Sequence, residues 1–276
     1  MKSLVVQLGG LGNQMFIYAF YYAMKKRGHN VQIDASLYNL LKMHNGYELP
    51  SIFNILPDEK KKAGWYLQWL RLLLHLKPKF LVCEELFKRT IQLDINKPYI
   101  VGYWQSDLYF NEFADEIKEL YRFKNISKRN MIISSDMQKV ESVSIHIRRG
   151  DYLNIPDALN ICSEDYYRKA IGIIITKVGK PHFYIFSNDP EWSKTFVEKL
   201  GISYTVIDHN TGVDSYQDMF LMSQCKHNIL ANSSFSWWGA YLNYHKNAIR
   251  VAPRVWCQGH SEETLNTDTP IDWIRI

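Results

Sequence analysis

The chain has 276 residues, of which 46% are hydrophobic and 22% are charged. This composition is that of a folded globular protein and excludes disordered and fibrous classes. The length accommodates two domains of ~130 residues each. A net charge of +5 suits an anionic ligand such as a nucleotide phosphate, but the sequence lacks the long lysine and arginine runs typical of nucleic-acid-binding proteins.

The four cysteines are scattered, without a C-x-x-C pair or an accompanying histidine cluster. This pattern argues against a zinc site and is typical of proteins in a reducing cytosol. Met1 leads directly into a short apolar run instead of a secretory signal. The sequence also lacks a run of about 18 apolar residues that could span a membrane. We therefore expect a cytoplasmic protein.

The first elements predict a βαβ unit. Ser3–Leu8 is a short apolar run, Gln14–Arg27 is apolar at helical spacing, and Val31–Asp34 has the pattern of a second strand. The helix is expected to stop at Gly28, because cations in a last turn followed by glycine favour termination.

Residues 35–135 predict mixed, short elements. Tyr66–Leu76 is strongly apolar with one narrow polar stripe, and lysines precede and follow it. Base rates favour a buried core or interdomain helix here. The alternative is a helix lying on the inner face of the membrane, attracted by its apolar area and its lysines.

A regular alternation of strands and helices begins near Val140. The predicted strands are Ser142–Ile147, His182–Phe186, Ser203–Ile207, His227–Leu230 and Ala248–Val251, and the predicted helices are Ser163–Val178, Glu191–Leu200, Ser215–Gln224 and Ser234–Asn243. Alternation at this spacing predicts a parallel sheet covered on both faces. We therefore expect an α/β protein with two Rossmann-like domains, residues 1–137 and residues 138–276.

The glycine-rich segment Gly9–Gly12 lies between the first predicted strand and helix. Its backbone can approach a ligand closely, and the helix N–H groups that follow can face an anion. The spacing differs from the dinucleotide fingerprint, since Met15 occupies the third glycine position, and it is not a P-loop. One interpretation is a tight βα turn; the other is that the amides of Asn13 and Gln14 bind sugar hydroxyls or a reacting oxygen.

His146, Arg148 and Arg149 lie where a predicted strand ends. In open α/β sheets, ligands bind at the carboxyl ends of the strands. Arginine suits phosphate because its planar guanidinium pairs with two oxygens at once. The alternative is a solvated arginine pair with Asp151 as a salt-bridge partner.

Polar residues also follow two further predicted strands. Asn188 and Asp189 precede Pro190 and have the spacing of a helix cap, a role that is compatible with ligand binding. The second group begins a helix and consists of Asn232, Ser233, Ser234, Phe235 and Ser236. Its hydroxyl and N–H groups suit phosphate, and the alternative is a helix N-cap beside buried tryptophans.

Three of these motifs fall at carboxyl edges of one predicted sheet, so they would line one cleft. Together they indicate a nucleoside-diphosphate site. The sequence contains no D-x-D tripeptide, the kind of paired carboxylate that a metal-bridged diphosphate usually requires. Arginines and a helix N-terminus would therefore have to stabilise the leaving group.

Taken together, the motifs resemble those of the α-1,2-fucosyltransferases of glycosyltransferase family 11, in their bacterial form. The segments that carry the resemblance are Gly9–Phe16, His146–Tyr152, Phe186–Pro190 and Asn232–Ala240. The resemblance implies a GT-B fold and inverting, metal-independent transfer of fucose from GDP-fucose to the 2-hydroxyl of a terminal galactoside in a glycan. The acceptor domain would be residues 1–137 and the donor domain residues 138–276, in a role such as lipopolysaccharide O-antigen biosynthesis.

More distantly, the chain resembles the α-1,6- and protein O-fucosyltransferases, and residue roles follow from that resemblance. His146 and Asp218 would read guanine, Arg148 would neutralise the departing diphosphate, and Asn13 would lie near the reacting oxygen. Ser233, Ser234 and Ser236 would contact phosphates. The donor site would further include Arg149, Asn188, Asp189, Asn232 and Phe235.

The general base stays open between Asp151, Glu191 and none, since a dissociative transition state needs little help from a base.

Three other functions also remain open. They are a fucosyltransferase of different linkage, a GDP-sugar-binding module without turnover, and a membrane-surface protein built on residues 60–79.

Overall fold

The computed structural model of the chain describes residues 2–40, 44–55, 81–83, 97–150, 162–256 and 269–276. The predicted helix Tyr66–Leu76 and Asp151 lie outside these residues. The chain forms two compact units, Met1–Lys124 and Asn125–Ile276. This division lies N-terminal to the sequence-based boundary between residues 137 and 138, because the helix Lys128–Gln138 packs within the second unit.

The first unit is built on a parallel sheet. Its elements are β1 (Ser3–Val6), α1 (Leu11–Lys26), β2 (Val31–Asp34), α2 (Leu37–Leu40), α3 (Leu49–Ile52), β3 (Leu81–Cys83), β4 (Tyr99–Val101) and α4 (Ala114–Leu120), with 3₁₀ turns at Asp107–Tyr109 and Asn111–Phe113. The strand order is β2-β1-β4-β3, and every pairing is parallel. The predicted βαβ unit at the N-terminus is confirmed.

Helix α1 is the centre of this unit, buried along most of its length. Phe20 stacks on Trp104 with ring centroids 4.2 Å apart, and both side chains are fully buried. Lys25 and Lys26 occupy the last turn, where cations interact favourably with the helix dipole. The helix therefore fixes the β1–α1 turn against a rigid aromatic core.

The second unit has the doubly wound architecture. Its elements are α5 (Lys128–Gln138), β5 (Glu141–Ile147), α6 (Glu164–Val178), β6 (Pro181–Ser187), α7 (Pro190–Glu198), β7 (Tyr204–Ile207), α8 (Tyr216–Gln224), β8 (His227–Ile229), α9 (Ser234–Tyr241), β9 (Arg250–Ala252) and β10 (Ile274–Arg275). The strand order is β10-β9-β8-β5-β6-β7, and every pairing is parallel. The predicted series of strands and helices is confirmed, and α5 and β10 are additions that the sequence analysis did not predict.

Both faces of this sheet are covered. Val143, Ile145 and Ile147 belong to an apolar cluster with helix α6. Tyr184 and Phe186 of β6 belong to a second cluster, formed with α5 and α8. Alternate side chains of each strand serve opposite layers, which is why these strands are almost continuously apolar.

Among the helices that the structure describes, none has the length and apolarity needed to cross a lipid bilayer.

Candidate active site

The six-stranded sheet reverses its winding direction between β5 and β8. From β5 the chain proceeds through β6 to β7 on one side, and β8, β9 and β10 then continue on the other side. Doubly wound sheets bind ligands beyond the carboxyl ends of the strands at such a point. The motif that ends β5 and the turn that follows β8 therefore border the expected crevice.

His146 lies near the carboxyl end of β5 and is 4% exposed. Its backbone carbonyl accepts the Tyr167 hydroxyl at 3.0 Å, and its ring lies 5.9 Å from that of Phe235 on the other side of the reversal. Arg148 follows and is half-buried. The structure thus brings the first motif beside the Asn232–Ser236 turn, as the sequence analysis predicted.

Arg149 is held by the loop that follows β6. Its backbone N–H donates to Asn188 Oδ1 at 3.0 Å, and Gly150 N donates to the same oxygen at 3.3 Å. The Arg149 guanidinium lies 4.0 Å from the Trp192 ring centroid, and its Nε is 3.8 Å from Asp189 Oδ2. This guanidinium is therefore engaged by an aromatic face and a carboxylate.

Asp189 caps helix α7. Its carboxylate accepts the Trp192 N–H at 3.3 Å, and Pro190 occupies the first helical position. The predicted cap is confirmed. Glu191, one of the two candidate bases, lies exposed in the first turn of the same helix.

The turn after β8, Asn232–Ser236, caps helix α9 with serine side chains. Ser233 Oγ accepts the Phe235 N–H at 3.3 Å. Ser236 is buried, and its one hydroxyl hydrogen is shared between the carbonyls of Ala231 and Ser233, each at 3.2 Å. Ser234 is half-buried. The hydroxyl of Ser236 thus serves the turn itself.

Asn232 is 2% exposed and anchors this turn to the following segment. Its Nδ2 donates to the Trp256 carbonyl at 3.1 Å, and its Oδ1 lies 3.6 Å from Cys162 Sγ. Trp237 and Trp238 behind it are fully buried, as the capping interpretation predicted. The cap and its apolar support are therefore rigid before any ligand binds.

Asp218 lies in the first turn of α8, where Asn210 Nδ2 donates to its Oδ1 at 2.7 Å. Burial raises the pKa of Asp218 to about 7, against the lowering effect of that hydrogen bond. Asn210 in turn accepts from Asn130, which is fully buried. The sequence analysis did not identify these two asparagines, since 80 positions separate them.

The β1–α1 turn of the first unit is a second polar site. Gly9 has φ +80°, and a Cβ there would lie 2.7 Å from Asn13 Nδ2. Asn13 is half-buried, and its Oδ1 accepts Gln105 Nε2 at 2.7 Å. Nearby, the Tyr38 hydroxyl donates to the Gly9 carbonyl at 2.6 Å, and burial raises the pKa of Tyr38. The tight βα turn is confirmed, and the Asn13 amide has a fixed orientation beside it.

Gln14 corrects the expectation that both amides of this turn bind a ligand. Its Nε2 donates to the carbonyls of Gly9 and Gly46, and its Oε1 accepts the Glu48 N–H at 2.9 Å. The side chain is fully buried. Gln14 therefore joins two segments of the first unit, because every buried amide group must find a partner.

The family model described as Glycosyl transferase family 11 matches residues 3–276 of the chain. An alpha-1,2-colitosyltransferase of Escherichia coli is 33% identical over 291 residues, covering 100% of this chain and 99% of that protein. The O-antigen biosynthesis glycosyltransferase WbnK of Escherichia coli is 31% identical, with 97% and 98% covered. The rat galactoside alpha-(1,2)-fucosyltransferase 2 is 26% identical, with 85% of this chain and 65% of that protein covered.

Among solved structures, the NodZ alpha-1,6-fucosyltransferase co-crystallized with GDP matches with a TM-score of 0.53 and 12% identity, covering 86% of this chain and 91% of that one. The fucosyltransferase NodZ from Bradyrhizobium gives a TM-score of 0.50 and 11% identity, with 86% and 92% covered. This likeness concerns the fold alone. The fold of this chain, an α/β architecture with parallel sheets, agrees with the expected GT-B type.

Proposed function

Since the chain belongs to glycosyltransferase family 11, we propose that it transfers L-fucose from GDP-fucose to the 2-hydroxyl of a terminal galactoside. The transfer inverts the configuration at the sugar carbon and requires no metal ion. O-antigen assembly is the proposed setting, supported by the name of one relative that matches nearly the whole chain.

One observation carries the proposal. The His146–Arg149 motif and the Asn232–Ser236 turn border the winding reversal of one doubly wound sheet, and the rings of His146 and Phe235 are 5.9 Å apart across it. A nucleoside diphosphate fits this arrangement because it combines a flat base with two anionic groups. The C-terminal unit is therefore the proposed donor side.

Arg148 is the proposed catalytic cation. When the bond between the sugar carbon and the β-phosphate oxygen breaks, the electron pair stays on GDP and negative charge grows there. A guanidinium fixed at the end of β5 stabilises this charge more in the transition state than in the ground state. Arg149, whose guanidinium contacts Trp192 and Asp189, is proposed to support the donor site rather than to face the departing phosphate.

The N-terminus of α9 is the proposed second phosphate contact. The first N–H groups of a helix and its dipole attract anions. Ser233 accepts the Phe235 N–H, and its own hydroxyl hydrogen can still be donated to a phosphate oxygen. Ser234 adds a half-buried hydroxyl, whereas Ser236 supports the turn from inside.

The N-terminal unit is the proposed acceptor side, with Asn13 as its polar contact. Gln105 uses the Asn13 oxygen, so the Nδ2 group, which only donates, is fixed beside Gly9. A donor at this place can bind one lone pair of the acceptor hydroxyl and so orient the other lone pair toward the sugar carbon. For the proton acceptor we keep Asp151, Glu191 and the absence of a protein base as alternatives.

A second donor sugar is favoured by a specific observation, since a relative covered over 99% of its length is an alpha-1,2-colitosyltransferase. Colitose differs from fucose in lacking the 3-hydroxyl. If colitose is also carried on GDP, the two donors present the same nucleotide and leaving group, and only the sugar pocket separates them.

The proposal is tested by incubating the protein with lactose and a small galactoside panel, in EDTA, with GDP-fucose or GDP-colitose. Product linkage is determined for each donor. An α-1,2-linked fucoside that forms in EDTA is the expected result, and a product from GDP-colitose alone would replace the donor assignment. A different linkage would contradict the regiochemistry. GDP binding without transfer to any galactoside would favour the non-catalytic binding module, and liposome binding unaffected by Arg148→Ala would favour the membrane-surface alternative.

A further inference from the structure

A line of side-chain hydrogen bonds leads from His209 to Asp218 in the C-terminal unit. His209 Nε2 lies 2.8 Å from Asn130 Oδ1, Asn130 Nδ2 donates to Asn210 Oδ1 at 2.8 Å, and Asn210 Nδ2 donates to Asp218 Oδ1 at 2.7 Å. The four residues come from α5, the loop after β7 and the first turn of α8. Three separate segments therefore converge on one carboxylate.

The line has a fixed direction. Asn130 Nδ2 also donates to Gln217 Oε1 at 2.8 Å, and that oxygen accepts the Ser127 N–H at 2.9 Å as well. If the Asn130 amide were reversed, its oxygen would face the Gln217 oxygen, which the Ser127 N–H fixes as an acceptor. Since Asn130 thus occupies the Asn210 oxygen, the Asn210 nitrogen must face Asp218.

This direction matters for the carboxylate at the end of the line. A carboxylate has about four acceptor positions, and one of them at Asp218 is taken by Asn210. The bond fixes the rotation of the carboxylate plane. Guanine presents two adjacent donors, N1–H and the 2-amino group, which pair with a carboxylate only when the two planes are aligned. Adenine presents no such pair of donors.

We propose that Asn210 and Asn130 are positioning residues for nucleobase selection, holding the Asp218 carboxylate in the plane that pairs with guanine. Neither side chain touches the nucleotide. The proposal rests on the proposed function and on the guanine-reading role that the distant resemblance to the α-1,6- and protein O-fucosyltransferases implies for Asp218.

The test measures dissociation constants of GDP and ADP by titration calorimetry for the full chain and its variants. The two nucleotides share the diphosphate, so the ratio of their constants isolates the base. Asn210→Ala is expected to weaken GDP binding about tenfold and to leave ADP binding unchanged. Without Asn210 the Asp218 carboxylate loses its orientation, which weakens its hydrogen bonds to guanine, and ADP forms no such bonds. Asn130→Ala is expected to do the same.

The double variant Asn130→Ala/Asn210→Ala is expected to lose no more than Asn210→Ala alone, since both changes break one line. The matched control is Asn243→Ala. Asn243 is also buried in this unit, and it donates to the Cys225 carbonyl at 2.7 Å and to Asn228 Oδ1 at 2.8 Å, away from Asp218. This control is expected to lower the melting temperature and to keep the GDP-to-ADP ratio.

If Asn130→Ala does not fold, Asn130→Asp replaces it with a side chain of the same size that lacks the Nδ2 donor. An unchanged ratio in folded Asn210→Ala would overturn the positioning role and leave the proposed function intact. An equal loss of GDP and ADP affinity would also overturn it. A wild-type protein that binds ADP as well as GDP would instead remove the guanine assignment itself.

Discussion

Asn188 Oδ1 accepts the backbone N–H of Arg149 at 3.0 Å, so a side chain that follows β6 ties down the loop that follows β5. The same oxygen accepts Gly150 N at 3.3 Å. A Cβ at Gly150 would lie 2.8 Å from Asn188 Nδ2, so the close approach of the two loops requires glycine. The loop that carries both arginines is thereby fixed from outside its own strand.

Replacing Asn188 by alanine is expected to lower kcat/KM about tenfold, because the loop that carries Arg148 loses two hydrogen bonds worth about 1 kcal/mol each at most. Steady-state kinetics with GDP-fucose measures the effect. Ser187→Ala is the matched control, since Ser187 Oγ accepts Asp189 N at the same strand end and, among the described hydrogen bonds, its side chain makes none to Arg149 or Gly150. An equal loss in both variants would contradict the role of Asn188.

The two adjacent arginines are expected to differ sharply. Arg148→Ala should lower kcat by about 10²-fold or more, the usual cost of losing a charged donor at a departing group. Arg149→Ala should act mainly on stability, lowering the free energy of unfolding by about 1 kcal/mol through the lost contact with Trp192. Single-turnover rates and thermal melts of the two variants measure both effects. A larger rate loss for Arg149→Ala would reverse the assignment.

Most of the second unit was predictable from sequence because its strands and helices alternate with clear stop signals. Ser163 caps α6 by accepting Tyr166 N at 3.2 Å, and Gly179 ends that helix with φ +83°. Strands buried on both faces appear as apolar runs between such signals. The carboxyl-edge motifs followed from this order, since each lies directly after a strand.

The features that the sequence analysis did not predict depend on contacts between residues that are far apart in the chain. Asn130 and Asn210 are 80 positions apart, and asparagine at either place has the appearance of an ordinary cap or loop residue. The structural role of Gln14 could not be distinguished from ligand binding for the same reason, because its partner Gly46 lies 32 positions away. Strand β10 has two residues, too few for any periodicity to show.

Gly9→Ala is expected to lower the free energy of unfolding by about 3 kcal/mol. The residue has φ +80°, and the added Cβ would lie 2.7 Å from Asn13 Nδ2. Two further glycine variants separate the cost of the positive φ from the cost of the clash with Asn13. Gly28 has φ +85° with open space around it, so Gly28→Ala should cost about 1 kcal/mol from backbone strain alone. Gly172 lies exposed in α6 with open space, so Gly172→Ala should stabilise by about 0.5 kcal/mol. Chemical denaturation measures all three, and a Gly9→Ala cost no larger than that of Gly28→Ala would exclude the clash.

The carboxyl of Asp218 should make stability fall as the pH rises. Burial raises its pKa to about 7 in the folded state, whereas an unfolded aspartate titrates near 4. Between these values the folded state binds more protons than the unfolded chain. The stabilisation provided by the protonated Asp218 carboxyl is therefore complete below about pH 4 and is lost as the pH rises to about 7. Asp218→Asn removes this titration, so its stability minus that of wild type should rise by about 4 kcal/mol over the window.

Urea denaturation of both proteins from about pH 4 to about pH 8 gives this difference directly, and other titrating groups cancel in it. Asp165→Asn is the control, since Asp165 is an exposed carboxylate in α6 that pairs with Lys169 at 3.3 Å. If the stability of Asp218→Asn minus that of wild type does not change over this pH range, the Asp218 carboxyl ionises in the folded protein at as low a pH as in the unfolded chain.

The raised pKa of Asp218 predicts one further effect. If guanine pairs with the ionised carboxyl as proposed, GDP affinity should rise as the pH passes about 7 and level off above it in the wild type, and this dependence should be lost in Asp218→Asn.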